Sequence, residues 1–350
     1  AHANGNMAYI PNHLHLACTK RLQFVKPNIY VGAASMPDKH GYVSLSLSNT
    51  YEKRMLEAAD LVILEVNPNM PYTLGDLQVA VSVVDYLVRA DYAPPVIPDA
   101  PFSEKDAAIG KLIAEMVPDG SCIQLGIGGI PNAVAAALEQ KNDLGVHTEM
   151  LTSGMMRLAK MGVINGKCKQ TYRGKMVTTF AMGVPELYEF IDYNPAVAVM
   201  DGAWVNDPYV IAQNDNQVSI NTSLEVDLTG QCASESLGSR QFSGTGGQSD
   251  TAVGAQMSKN GKSIIALYST AMVKGPDGQK QEVSKIVPQL MPGAAVSLSR
   301  NDVDRVVTEY GVAELRGTSI RDRVARLIEI AHPKFREQLW DQAVEVGILG

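Results

Sequence analysis

The sequence is poor in the features that mark the most easily recognised protein classes. Its four cysteines, Cys18, Cys122, Cys168 and Cys232, are scattered and never form a CxxC pair. That spacing argues against a disulfide scaffold and a zinc site, and it fits a reducing compartment, hence the cytoplasm. No apolar run is long enough to cross a bilayer. An excess of positive charge is missing as well. With 30 Lys+Arg against 37 Asp+Glu, the net charge is −7, so nothing would neutralise a row of nucleic-acid phosphates. Charged residues make up 19% and apolar ones 45% of the chain, a balance that excludes a disordered, collagen-like or coiled-coil protein. The 350 residues allow about two domains, each with ample core. Residues 1–6 (AHANGN) have no initiator Met and no charged-then-apolar order, so they are not a signal peptide; the start reads as the middle of a longer chain.

Several catalytic motifs are also absent. There is no GxSxG elbow, no GxxxxGK[ST] loop, no HExxH and no cluster of His, Asp and Glu with metal-ligand spacing. No metal is therefore expected.

What is present is a repeated strand–helix rhythm. Residues 28–33 (NIYVGA) read as a buried strand, apolar on both faces. A helix over 51–59 and a strand over 61–66 (LVILEV) follow, the order expected of a mostly parallel sheet. Residues 93–101 (APPVIPDAP) hold four prolines and read as an extended linker. The boundary is accordingly placed between a first domain, 1–103, and a second, 104–350. Ser103 and Asp106 form a box-like cap for a helix whose apolar face covers 107–116. Further strands are expected at 122–125, 176–179, 196–200, 218–221, 263–267 and 303–307, and helices at 132–139, 320–331 and 334–346. The fold class is α/β, with two open, mostly parallel units.

Two glycine clusters could carry chemistry. Gly126-Ile127-Gly128-Gly129-Ile130-Pro131 lies between a strand and a helix, but Pro131 stands where a dinucleotide fingerprint needs glycine. It reads either as a tight turn or as a place where a cofactor approaches the backbone and an anion meets a helix N-terminus. The second cluster, 242–250 (FSGTGGQSD), reads either as a surface loop or as a run of N–H groups suited to an oxyanion. Among carboxylates, Glu65 ends a strand, while Glu225 and Asp227 alternate with Leu224, Val226 and Leu228, which places both acids on one solvated strand face. Glu149, beside His147 in an apolar stretch without a sequence-adjacent Lys or Arg, is either an exposed turn residue or a nucleophile or base. His147 is similarly open between a structural and a catalytic role.

Six strings together go further: QLGIGGIPNAV (124–134), GVHTEM (145–150), NTSLEVDLTGQ (221–231), QFSGTGGQSD (241–250), SRNDVDRVVTEYGVAELRG (299–317) and IAHPKFREQL (330–339). In this order they resemble the acetyl-CoA hydrolase/transferase family. Within it they are most similar to 4-hydroxybutyrate CoA-transferases and butyryl-CoA:acetate CoA-transferases. The resemblance implies two α/β domains of CoA-transferase type with the active site between them, and a further N-terminal stretch ahead of Ala1. It implies that Glu149 is the nucleophile and that Glu65 and Glu225 are structural. It assigns Gly126, Ile127, Gly128, Gly129, Ile130 and Leu224 to coenzyme A, and Gly246, Gly247 and Gln248 to the oxyanion, with Gly247 also touching CoA. Thr251 stands where the family usually has Phe.

The implied activity is transfer of CoA between a short-chain acyl-CoA and a small carboxylate through a glutamyl-CoA thioester. A hydrolase of the same family and a non-catalytic CoA-binding fragment are the alternatives. No cofactor is expected to stay bound, since CoA enters as substrate. The expected partners are acyl-CoA, small carboxylic acids and further copies of the chain in a homodimer or higher homo-oligomer, with neither nucleic acid nor membrane.

Overall fold

In a computed structural model that describes residues 6–275 and 278–349, the β-branched runs become parallel strands and the segments between them become the helices that cover the sheets. The N-terminal unit has β1 (Ile29–Ala34), α1 (Glu52–Ala58), β2 (Leu61–Val66) and β3 (Tyr86–Arg89). Its three strands are parallel with β2 in the centre, Val31 opposite Ile63 and Ile63 opposite Tyr86. The expectation that 28–33 is buried on both faces is corrected here. Ile29 and Val31 are 56% and 64% exposed, and Tyr86 and Val88 on the same face are exposed too. Only the opposite face, with Ala34, Val62, Leu64 and Val66, meets the core. β1 is an edge strand, and one side of a three-stranded sheet suffices to close the core beneath it.

Residues 93–101 are neither helix nor strand. Next comes α2 (Glu104–Glu115), with the capping box anticipated from sequence: Ser103 Oγ accepts from the Asp106 N–H, and Asp106 Oδ2 accepts from the Ser103 N–H at 2.8 Å. Such a cap stabilises a helix by about 1 kcal/mol. The second unit continues with β4 (Cys122–Leu125), α3 (Gly129–Ala137), β5 (Gly145–Val146), β6 (Gln217–Thr222), α4 (Gln248–Met257), β7 (Lys262–Ala266), β8 (Arg305–Thr308), β9 (Gly311–Glu314), α5 (Ile320–Glu329) and α6 (Arg336–Glu345). Its six-stranded sheet runs β9-β8-β7-β6-β4-β5, parallel except for the β8–β9 hairpin.

Most boundaries shift by one or two residues from the sequence reading, and a few shifts have a local cause. α3 begins at Gly129 rather than 132, because Gly128 caps it and Pro131 fits the first turn. The strand expected at 303–307 is Arg305–Thr308, and a 3₁₀ turn, Pro333–Phe335, precedes α6. Strands Met176–Thr178 and Val197–Val199 pair with each other rather than joining the large sheet.

Buried apolar side chains from Ala34 to Val307 form one cluster, so the N-terminal sheet and the large sheet share a core. A second cluster, from Val226 to Ala343, lies beneath α5 and α6. The chain leaves β4 toward β5 on one side and returns to β6 on the other. The ends of β4 and β6 thus form a topological switch point, where open α/β sheets bind ligands. None of the described helices is long and apolar enough to cross a membrane.

Candidate active site

Glu149 follows β5 and is fixed first through its backbone. Its carbonyl accepts from Thr179 N at 3.0 Å, Phe180 N at 3.2 Å and Thr178 Oγ1 at 3.0 Å. The side chain is held by two donors from elsewhere in the chain: Asn206 Nδ2 donates to Oε2 at 2.9 Å, and the Gly247 N–H also reaches the carboxylate. Burial pushes the acid up to about 7, with the Asp250 charge adding to the rise and both hydrogen bonds opposing it. Glu149 is thus no exposed turn residue. It is a carboxyl group poised between protonation states near neutral pH.

His147 is not a second catalyst. It is buried, burial holds its pKa down at about 3, and Nε2–H donates to the Val205 carbonyl at 2.8 Å. That bond ties the segment leading into Glu149 to helix Gly202–Val205, whose C-cap is Asn206. The His-Thr-Glu spacing therefore secures Glu149 twice: His147 fixes the turn, and the turn's Asn206 fixes the Glu149 carboxylate.

The glycine loop ahead of α4 closes the other side. Gly246 has φ 62°, and Gly247 is the N-cap of α4. A Cβ at Gly247 would overlap Glu149 Oε2 and Asn206 Nδ2, so only glycine permits this approach. Gln248 Nε2 donates to the Thr222 carbonyl at 2.9 Å, which ties α4 to the end of β6. Gln248 Oε1 and Asn206 Oδ1 are buried without a partner among the described residues.

Around Glu149 lies a cleft of about 270 Å³, bounded by Gly126, Ile127, Phe180, Asn221 and residues 243–248. It adjoins a second cleft of about 220 Å³ that shares Ile127, Pro131 and Thr222 with it. Gly129, Ile130 and Leu224 line this second space together with Tyr268 and Lys285. Gly128, the cap at φ 111°, lies in the turn between them. The structure thus brings Glu149, Gly126, Ile127, Gly246, Gly247 and Gln248 to one cleft, and Gly129, Ile130 and Leu224 to its neighbour. All the lining residues come from 124–285; the N-terminal segment touches the glycine loop from behind, where Tyr9 Oη lies 2.8 Å from Thr245 Oγ1.

Two carboxylate readings change. Glu225 and Asp227 are buried, at 6% and 2% exposure, not solvated. Their strand, Glu225–Asp227, is sandwiched between Cys232–Ala233 and Ile286–Val287. Glu225 accepts from Met291 N, and Asp227 accepts from the N–H groups of Thr229 and Gln231 in a turn. Both acids are structural, as is Glu65, which accepts from Tyr92 Oη at 3.0 Å.

Thr251 is buried beneath the cleft. Its Oγ1 accepts from Asn221 Nδ2 at 3.0 Å and Ser219 Oγ at 3.1 Å, within a polar network that includes Gln124. Asn206 and Asp250 were missed by sequence reasoning. Asn206 is one short polar residue 57 positions from Glu149, with no local pattern to single it out. Asp250 ends the glycine cluster 242–250, but its neighbours in the chain do not show that its charge acts on Glu149.

A larger groove of about 610 Å³ lies over Asp99, Phe102 and Arg157, where Arg157 is paired with Asp99 and Asn132 donates to the Ala100 carbonyl. Among the described residues no group of three or more His, Cys, Asp and Glu could hold a metal, and all four cysteines are free thiols.

Comparison with known proteins agrees with this site. Residues 1–98 match the acetyl-CoA hydrolase/transferase N-terminal domain, and residues 183–343 match the C-terminal domain of the same family. The chain is 50% identical over 308 residues to a 4-hydroxybutyrate coenzyme A transferase of Clostridium kluyveri, covering 88% of this chain and 70% of the relative. It is 43% identical to a probable butyrate:acetyl-CoA coenzyme A-transferase of Syntrophomonas wolfei, covering 99% and 77%. The crystal structure of RipA from Yersinia pestis superimposes with a TM-score of 0.92 at 38% identity, over 99% of this chain and 78% of that one. A 4-hydroxybutyrate CoA-transferase structure from Porphyromonas gingivalis gives 0.84 at 38%, over 99% and 82%. With relatives this similar along most of their length, the chain belongs to the acetyl-CoA hydrolase/transferase family.

Proposed function

We propose that this CoA-transferase moves CoA between a short-chain acyl-CoA (acetyl-, butyryl- or 4-hydroxybutyryl-CoA) and a small carboxylate, with Glu149 as the nucleophile. The observation that carries the reading is the Glu149 carboxyl group itself, held between Asn206 Nδ2 and the Gly247 N–H at the wall of a cleft where two glycine loops meet.

The Glu149 carboxylate attacks the thioester carbonyl and expels CoA thiolate, leaving an acyl-glutamyl anhydride. The thiolate attacks the glutamyl carbonyl, which releases the first carboxylate and leaves a glutamyl-CoA thioester. A second carboxylate attacks that thioester and expels the thiolate, which leaves a new acyl-glutamyl anhydride. The thiolate then attacks its acyl carbonyl and releases the new acyl-CoA and the free Glu149 carboxylate. When the glutamyl carbonyl is attacked, the developing oxyanion is one of Glu149's own oxygens, already within reach of Asn206 and Gly247. Losing one such donor typically costs about 3 kcal/mol in the transition state.

The cleft of about 270 Å³ suits a short acyl group, with Ile127, Met150 and Phe180 as apolar walls and Asn221 and Thr222 as polar ones. Loop 126–130 and Leu224 would receive CoA, and the second cleft supplies a cation, Lys285, for its phosphates. Burial lowers the Lys285 ammonium's pKa, while the charges of Glu309 and Glu225 oppose the shift. The proposal includes a cytoplasmic homo-oligomer. The open apolar face of Ile29, Val31, Tyr86 and Val88 supports a neighbouring chain, and light scattering of the purified protein tests it.

Mass spectrometry after incubation with acetyl-CoA or butyryl-CoA tests the mechanism. A CoA adduct on the peptide carrying Glu149, lost in Glu149→Gln, is expected. Turnover of acyl-CoA with no adduct at Glu149 would refute it. Dependence of CoA-ester loss on added acetate separates transfer from hydrolysis.

A further inference from the structure

The N-terminal segment reaches across the molecule to the helix that carries the glycine loop. The His15 N–H donates to Asp250 Oδ2 at 3.1 Å, and His15 Nδ1 lies 2.8 Å from Asp250 Oδ1. Asp250 is 2% exposed and sits in the first turn of α4, three residues after Gly247. Tyr9, from the same segment, meets Thr245 Oγ1 and donates to Glu235 Oε1 at 3.2 Å. The loop that touches Glu149 is therefore held from outside by residues more than 220 positions away.

We propose that His15 is a positioning residue for the nucleophile: its bonds to Asp250 hold the first turn of α4, and its positive charge offsets a buried carboxylate whose field reaches Glu149. This rests on the reading of Glu149 as nucleophile. The hydrogen bond to Asp250 raises the His15 pKa first, with further help from the charges of Asp250 and Asp207 and opposition from burial and Lys20. His13 stands beside the pair, its Nδ1 3.7 Å from Asp250 Oδ1.

Around Glu149 the charged or titratable neighbours are few. Asp250 raises it, Asn206 and Gly247 donate to it, and His147, two residues before it, is buried and neutral with Lys169 behind it. Asp250 is thus the charge through which the N-terminal segment acts. With His15 protonated, the pair is close to neutral. With the His15 charge removed, the bare Asp250 carboxylate disfavours the Glu149 carboxylate and leaves less of it ionised at a given pH.

The test is kcat/KM for butyryl-CoA against pH in the 350-residue chain, for wild type, His15→Gln, His15→Lys and Asp250→Asn. Adduct formation at Glu149 is followed in the same samples. His15→Gln keeps a hydrogen-bond donor without charge and is expected to move the acid limb up by about half a pH unit or more, a loss of about threefold on that limb. Asp250→Asn removes the negative charge and moves the limb down, while His15→Lys restores it toward wild type. A purely structural role lowers the rate without moving the limb. Limbs that stay put, or that move in the same direction in His15→Gln and Asp250→Asn, overturn the inference. The opposed shifts keep it testable if either variant is poorly folded. Failure of the underlying reading shows separately: wild type then turns over butyryl-CoA with no adduct at Glu149, at any pH.

Discussion

The two glycine loops look alike in sequence and do different work. Both lead into a helix, α3 from Gly126–Gly129 and α4 from Gly244–Gly247. In the first loop, glycine is required by conformation. Gly128 has φ 111° and ψ −173°, a region essentially closed to other residues, yet a Cβ there would meet nothing within 4 Å. In the second, glycine is required by proximity. Gly247 has φ −102°, open to any residue, but its Cβ would overlap the Glu149 carboxylate and the Asn206 amide. One loop shapes an empty space for a ligand to enter. The other presses its backbone against the Glu149 carboxylate.

Substitutions can break this contrast. The largest effect is expected from Gly247→Ala, which displaces Glu149 and its amide donor together; kcat should fall by about 10²- to 10³-fold, read in a steady-state assay. Asn206→Ala removes one donor without a clash. Its loss in kcat should be about 10²-fold, and the acid limb of the pH profile should move up, because the lost hydrogen bond favoured the carboxylate.

Glu149→Gln tests whether the second loop faces a strained charge. The folded acid stands near 7, above its ordinary value of 4.5. Wild-type stability is therefore unpenalised below about pH 4.5 and declines as pH rises toward 7, where the buried group must ionise. Urea unfolding should show Glu149→Gln gaining on wild type across that window, by about 1–3 kcal/mol at pH 8, and level above it.

In the first loop, Gly128→Ala should lower stability by about 1–3 kcal/mol through backbone strain, seen in the same unfolding experiment. Gly126→Ala is expected to do least. The nearest atom to its Cβ is Pro131 Cγ at 3.9 Å. Stability should change by under about 0.5 kcal/mol, and KM for acyl-CoA should rise with kcat little altered if CoA approaches here.

Much of the frame was legible beforehand because it rests on local rules. The Ser103–Asp106 cap, the strands Leu61–Val66 and Cys122–Leu125, and the glycine turn after β4 are each written in a few neighbouring residues. Where the sequence reading failed, the missing quantity was an environment. Glu225 and Asp227 alternate with apolar residues as an amphipathic edge would, but strands on both sides and a turn of N–H groups bury them. Ile29 and Val31 look like core and lie open, because the sheet they edge is covered on one face only.

The residues around Glu149 divide along the same line. By itself the sequence determined that the chain is an α/β protein, that glycine turns precede two of its helices, and, through motif resemblance, that Glu149 is the glutamate to consider. These follow from short-range periodicity, turn chemistry and residue identity. Only the tertiary structure decided that Glu149 is poised near neutrality, that Asn206 and Gly247 hold it, and that His15 reaches Asp250 behind it. A pKa depends on burial and on charges brought together across the fold, and neither can be read from a residue's neighbours in the chain.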